Sequence, residues 1–393
     1  MASEMDHLVA LRKFAVACPI RSVCDHHARV FQSLGRLEGH YLGTRRGVSN
    51  IPKEKQRLLP LVGLLSYAGA KIYPPGAEWI KVQSFPLFDQ WVKHRISDGT
   101  CVLSSYGYAV ESFRKSRATG GLTLLDAGNS HLANYWKLVS LEHKLWGENV
   151  SPFPRKWYER GMKSIELTDW VLSPSSYVTK SFINQGFPEE RILHLPYPVD
   201  LQNFSAEGDT APLDGPIRVI CTGAVSLRKG FPYLLEAMRI LGKDHDVELL
   251  LTDGIHTSMA KIILEYKDLK IIWGPRLSHK KLGAHLKSAH VFALLSIEEG
   301  LARTALEAMA CGLQVVLTSN TGAADFVKHA ENGEVVPFGD PQATARAIFE
   351  AYQRRIARGL LLDKELRNNL SFEAFERNLK SHLKKIDQMG ARK

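Results

Sequence analysis

The amino-acid sequence predicts an α/β protein made of two doubly wound parallel sheets. Short apolar runs alternate with amphipathic helical stretches through most of the 393 residues, the pattern of βα units. The runs fall into two separate series, and the polar segment Ser205–Pro216, with two prolines and two glycines, lies between them. In the first series strands are expected at Phe14–Cys18, Gly39–Gly43, Thr100–Ser104, Thr123–Asp126 and Trp170–Ser173, with a helix from about Asp25 to Leu37 after the first. The helix after Trp170–Ser173 takes Ser175 or Ser176 as its N-cap and Gly186 as its stop. The second series runs Ile217–Thr222, Glu248–Thr252, Lys270–Trp273, Val291–Leu295, Gln314–Thr318 and Glu334–Pro337. Asp340 and Pro341 read as N-cap and first helical residue. Ser371 caps a last helix with Phe372, Phe375, Leu379, Leu383 and Ile386 on one face, a stripe that must dock somewhere. The expected division is 1–205 for the first domain, 206–216 for the linker, 217–370 for the second domain and 371–393 for the final helix.

Composition narrows the classes of function. With 45% hydrophobic and 23% charged residues the chain is neither disordered nor fibrous. Its formal net charge is +10, with 25 Lys and Arg against 18 Asp and Glu over residues 1–200 and 26 against 23 over 201–393. The excess is therefore N-terminal. No RNP, zinc-finger or helix-turn-helix signature accompanies it, so nucleic acid is not an expected partner. Five scattered cysteines without a CxxC pair fit buried thiols in a reducing cytosol. Asp6, Arg12 and Lys13 interrupt any secretory h-region. The apolar stretch Leu58–Ile72 is broken by Pro60 and is shorter than the ~20 residues that span a bilayer. A cytoplasmic protein is expected. Residues 1–100 hold 14 Lys and Arg against 8 Asp and Glu, and Arg45, Arg46, Lys53, Lys55 and Arg57 lead into that apolar stretch. Such a segment allows at most peripheral, salt-sensitive contact with an anionic membrane.

Three constellations carry chemistry. The first is Ile297–Gly312, where a buried strand ends, a short acidic loop follows and a helix is expected from Gly300 or Leu301. A helix start at the carboxyl end of a parallel strand offers free N–H groups to a phosphate, which places Gly300, Leu301, Ala302 and Arg303 beside a diphosphate. Glu299 and Glu307, eight residues apart, would lie about 12 Å apart along a helix axis, so the first can accept from sugar hydroxyls and the second from ribose hydroxyls. The second constellation is Cys221–Gly230, in which Gly223 opens a loop and Arg228 and Lys229 form a small cationic clamp for a diphosphate. The third is Leu124–His131, which brings Asp126, Asn129 and His131 to a strand's carboxyl edge; Arg21 occupies the corresponding loop after the first strand. No GxGxxG follows a strand, no GxxxxGK[ST] occurs, and the 15 histidines are dispersed, so neither a dinucleotide cofactor nor an essential metal is expected.

The run Glu-Gly-Leu…Leu-Glu-Ala-Met-Ala-x-Gly over 299–312, with Val315-Val316, Thr321-Gly322 and Asn332–Pro337, resembles the Glu-x7-Glu motif of retaining glycosyltransferases of the GT-B fold, in particular family 4 (GT4). Leu295, Gln314 and Ala224 depart from it, standing where the family often has Pro, Pro and Arg. The loop Pro19–Ser22 departs more, lacking the usual glycine pair. The resemblance implies two Rossmann-like domains across a cleft, with the last helix returning to the first. It also implies transfer of a sugar from a nucleoside diphosphate sugar, UDP being the commoner choice, with retention of configuration and no cofactor. Arg228 and Lys229 would then hold the leaving diphosphate, and His131 would line the donor-sugar side. Sugar or lipid-linked acceptors in polysaccharide, glycolipid or other glycoconjugate synthesis are implied. A GT-B nucleotide-sugar epimerase and a non-catalytic sugar-nucleotide-binding protein are the alternatives.

Overall fold

The computed structural model describes residues 11–60, 62–65, 77–147, 155–208, 210–212, 214–275, 277–361 and 363–390. Its first sheet contains β1 (Phe14–Cys18), β2 (Leu37–Leu42), β3 (Gln56–Leu58), β4 (Cys101–Ser105), β5 (Thr123–Asp126), β6 (Trp170–Ser173) and β7 (Ile192–His194), in the order β3-β2-β1-β4-β5-β6-β7. The second contains β8 (Ile217–Thr222), β9 (Val247–Thr252), β10 (Ile271–Gly274), β11 (Val291–Leu294), β12 (Gln314–Thr318) and β13 (Gly333–Val336), in the order β10-β9-β8-β11-β12-β13. Every pairing is parallel, as between β8 and β9, where Ile217 faces Val247 and Thr222 faces Thr252. Strand order therefore reverses direction beside β1 and beside β8, and ligands of such sheets sit outside the carboxyl ends at those points.

The predicted α/β class and two-sheet plan hold. The first helix is shorter than the periodicity suggests, spanning Cys24–Ser33, because Gly35 turns the chain with φ +65° and Leu37 already begins β2. β3 and β7 are three-residue edge strands with no apolar run to announce them. The caps follow sequence: Ser175, Asp340 and Ser371 accept from the N–H groups of Val178, Ala343 and Ala374 at 3.2, 2.8 and 3.1 Å.

The final helix, Phe372–Met389, packs on the first sheet. Phe375, Leu379, Leu383 and Ile386 are buried with Phe14, Phe31 and Leu103. Arg36 forks the Asp387 carboxylate at 2.9 and 2.8 Å, and its guanidinium lies over Phe14. At the other crossing, Tyr197, Val199 and Phe204 already pack in the second domain's core. The two crossings meet where the Val199 N–H bonds to the Leu370 carbonyl at 2.8 Å. Residues Tyr197, Val199 and Phe204 thus join the second core ahead of the polar segment 205–216, because their apolar side chains are buried there.

Among the described residues no helix is long and apolar enough to cross a membrane. Most of the expected apolar stretch Leu58–Ile72 lies outside them; Arg45, Arg46, Lys53, Arg57 and Leu58, at its head, are exposed.

Leu379 is fully buried between the last helix and the first sheet, so Leu379→Ala should lower unfolding free energy by about 2–5 kcal/mol, measured by urea denaturation.

Candidate functional site

At the carboxyl ends of the second sheet, three loops converge. After β8 the chain passes through Gly223, with φ +95°, into a 3-10 turn over Leu227–Lys229 that ends at Gly230, φ +66°. A Cβ at Gly230 would collide with the Leu295 carbonyl oxygen, so glycine is required where this loop passes over the end of β11. After β11 the acidic loop runs in extended form: Glu299 pairs with Thr321, its N–H bonded to the Asn320 carbonyl at 3.0 Å. The helix then begins at Arg303, not at Gly300 or Leu301, because Ala302 adopts a left-handed conformation, φ +58°. No side chain caps the start of this helix, Arg303–Ala310, so its first N–H groups remain available. The spacing of Glu299 and Glu307 is consequently set by a loop plus one helical turn rather than by helical rise alone.

These loops enclose a cavity of about 400 Å³. Gly223, Lys229, Glu299, Leu301, Ala302, Arg303 and Glu307 all line it, which brings together most of the residues singled out in this half of the sequence. Gly128 from the first domain and Tyr197 from the crossing segment close it. Gly300 stands at the seam: a Cβ there would strike the Gly128 carbonyl oxygen, and its own carbonyl accepts from the Ser175 hydroxyl at 2.6 Å.

Other singled-out residues lie off the cavity wall. Arg228 turns behind Glu299, donating through Nη1 to the Glu299 carboxylate at 3.0 Å and to the Glu298 carbonyl at 2.7 Å. Asn129 Nδ2 donates to the Glu298 carboxylate at 3.1 Å. His131 is the N-cap of the helix Leu132–Leu145, its Nδ1 accepting from the Ala133 N–H at 3.2 Å while its ring meets Phe182 edge-on. Burial holds it neutral, with a pKa near 4. Asp126 is buried beneath the loop and accepts from Tyr197 at 3.1 Å. Arg21 is exposed, pairing with Asp25 at 2.5 Å.

The two cavity glutamates are shifted in opposite directions. Burial pushes Glu299 upward, but Arg228 and Lys229 outweigh it and leave the carboxyl below its usual range. Burial pushes Glu307 up to about 7; Arg303 offsets this in part and Asp200 adds to it. Asp126 also rises to about 7 through burial, against the hydrogen bonds from Tyr197 and Cys24.

A sequence profile of the family described as glycosyl transferases group 1 matches residues 207–377, the half that builds this cavity. A protein of Salmonella typhimurium strain LT2, assigned as the colanic acid biosynthesis glycosyltransferase WcaL, is 25% identical over 305 residues, which are 73% of each chain. The second domain belongs to the glycosyl transferases group 1. Solved structures share the whole architecture. Sucrose-phosphate synthase from Thermosynechococcus elongatus superposes with a TM-score of 0.66 at 17% identity, covering 95% of this chain and 99% of that one. HepE from Anabaena, in complex with UDP and glucose, gives 0.65 at 14%, again covering 95% and 99%. The fold of this glycosyltransferase is GT-B.

Sequence reasoning missed part of the cavity of this glycosyltransferase. Thr252, which ends β9, and Asp253, which follows it, line it, as do Leu277, His279 and Leu282. Asp253 has φ +92°, a strained value for a residue other than glycine, yet only its place at a strand's carboxyl end could have marked it. Tyr197 carried no signal beyond its apolar neighbours.

Glu307 has a folded pKa above its unfolded one, so the stability contributed by its proton is full below about 4.5 and lost as pH rises through about 7. Glu307→Gln, which mimics the protonated group, should stabilise the unliganded protein by about 2–3 kcal/mol at pH 8 and by almost nothing at pH 4, measured by urea denaturation at both values.

Proposed function

We propose that this glycosyltransferase moves a hexosyl group from a nucleoside diphosphate sugar, UDP being favoured, to a glycan or lipid-linked acceptor with retention of anomeric configuration. One observation carries the reading: Glu299, Lys229, the uncapped start of the Arg303–Ala310 helix and Glu307 share the wall of one cavity. A nucleoside diphosphate sugar presents hydroxyls, then two phosphates, then a ribose, and these groups offer a matching partner to each. Glu299, kept ionised, accepts from sugar hydroxyls; Lys229 and the helix N–H groups face the diphosphate; Glu307 accepts from the ribose.

In the transfer step the bond between the anomeric carbon and the β-phosphate oxygen breaks, and negative charge grows on the departing diphosphate. Lys229 and the helix start stabilise that charge electrostatically in a partly enclosed site, so the reading requires no metal or cofactor. The departing phosphate oxygen takes the proton of the acceptor hydroxyl, whose oxygen bonds to the anomeric carbon on the same face. No side-chain base is needed, which suits a His131 whose Nδ1 is engaged as a cap. Arg228 acts through Glu299, which it holds by a charge-assisted hydrogen bond.

The relative assigned to colanic acid biosynthesis supports a polysaccharide acceptor, and the UDP bound by HepE supports UDP. Acceptors of this kind are met at a membrane surface, and the exposed Arg45, Arg46, Lys53 and Arg57 beside Leu58 suit an anionic leaflet.

Lys229→Ala should lower turnover by about 100-fold or more without unfolding the chain, measured with UDP- and GDP-sugars against a glycan acceptor panel. Near-normal rates would overturn the assignment. In flotation with anionic liposomes, binding is expected at low salt and loss of binding at high salt; replacing Arg45, Arg46 and Arg57 by Ser should abolish it, whereas no binding at low salt removes the membrane contact alone.

A further inference from the structure

Glu298 is fully buried, and its carboxylate points away from the cavity into the seam between the domains. Its Oε1 accepts from the Ser130 backbone N–H at 2.8 Å and its Oε2 from Asn129 Nδ2 at 3.1 Å, both in the first domain. Arg228 lies 3.7 Å from the same Oε2. Arg228 also donates to the Glu298 backbone carbonyl and to the Glu299 carboxylate. One side chain therefore joins the first-domain loop that follows Gly128 to the residue that holds Glu299. Tyr135, on the first-domain helix Leu132–Leu145, also faces Arg228 and packs on Ile297, but three other hydrogen-bonded contacts at the seam do not reach it. Ser175 reaches the Gly300 carbonyl, Asp325 accepts from the Ser176 N–H and hydroxyl, and Tyr233 donates to Glu142. Each ties the domains together without touching Arg228 or Glu299.

We propose that Glu298 is a positioning residue, which docks its carboxylate on the Asn129–Ser130 loop when the cleft closes and thereby sets Arg228 and Glu299 for transfer. The inference rests on the glycosyl-transfer reading above. With the domains apart, the carboxylate loses both first-domain donors and returns to water. With them together it is desolvated, and such a charge is tolerated only where its hydrogen bonds are in place. Closure in a wrong register would leave it unpaired, so Glu298 admits one closed arrangement, the one in which Gly128 meets Gly300. A residue retained only for stability would do as well as a packed apolar side chain here.

The test uses the full chain with Glu298→Gln, Glu298→Ala and Asn129→Ala. Glutamine keeps the shape but loses the charge that Arg228 faces at 3.7 Å, and its amide nitrogen replaces an oxygen that accepts from the first-domain loop. Affinity for UDP and for GDP, measured by calorimetry, should fall by no more than about tenfold, the part of binding that closure supplies, and the binding that remains shows that each variant folds. Turnover of Glu298→Gln should fall about 30-fold or more, with less effect on KM. Asn129→Ala should lose less, and Glu298→Ala combined with Asn129→Ala should be no worse than Glu298→Ala alone. Closure is read directly by energy transfer between dyes on Lys163→Cys and Lys243→Cys, both exposed and on different domains, since all five native cysteines are buried. The parent should shift to higher transfer on adding UDP or GDP, and the Glu298 variants should not. Turnover within threefold of the parent, unchanged closure, or equal losses in nucleotide affinity and turnover would each overturn the proposal. If the parent transfers no sugar from any donor, the functional reading fails, while the closure measurement still decides the role of Glu298.

Discussion

The approach of Gly300 to Gly128 sets the width of the cleft, and most of the site depends on it. No side chain fits between the two backbones, and a Cβ on Gly322 would in turn collide with the Gly300 carbonyl and the Ser175 hydroxyl. Three loops from two sheets are stacked here at backbone distance. Close packing of this kind leaves no room for water, so every polar group at the contact must find a partner in the protein. Ser175, Asn129 and Ser130 supply those partners from the first domain, and Arg228 supplies one from the second.

That dry contact also explains the charges around it. Arg228 is shared among Glu298 and Glu299, and the pairing keeps Glu299 ionised where burial alone would protonate it. Glu307 has only Arg303 to oppose burial and rises to about 7. Two glutamates in one cavity thus differ through their neighbours, not through their depth. The cavity wall itself carries Lys229 and the exposed Arg303, so charge is arranged in two layers, one behind the wall and one facing the cavity.

Much of this was legible in the sequence. Phe14–Cys18, Thr123–Asp126, Trp170–Ser173, Ile217–Thr222 and Gln314–Thr318 were placed to the residue, because a buried parallel strand is a short apolar run bounded by turn residues. β3 and β7 were not, since three-residue edge strands are stabilised by a neighbour's backbone rather than by their own side chains. The helix start after Glu299 lies two to three residues later than expected because nothing local announces a left-handed alanine.

By itself, the sequence determined the α/β class, the two series of strands, the helix caps and the cavity residues Lys229, Glu299 and Glu307, all of which follow from local periodicity and short-range motifs. Only the tertiary structure decided that Arg228 turns behind Glu299, that Tyr197 closes the cavity and that Glu298 faces the other domain. Those roles arise from contacts between residues as many as 169 positions apart, such as Asn129 and Glu298. A side chain's direction at such a contact is chosen by which partner can satisfy its charge once water is excluded, and that choice exists only after the two sheets have met.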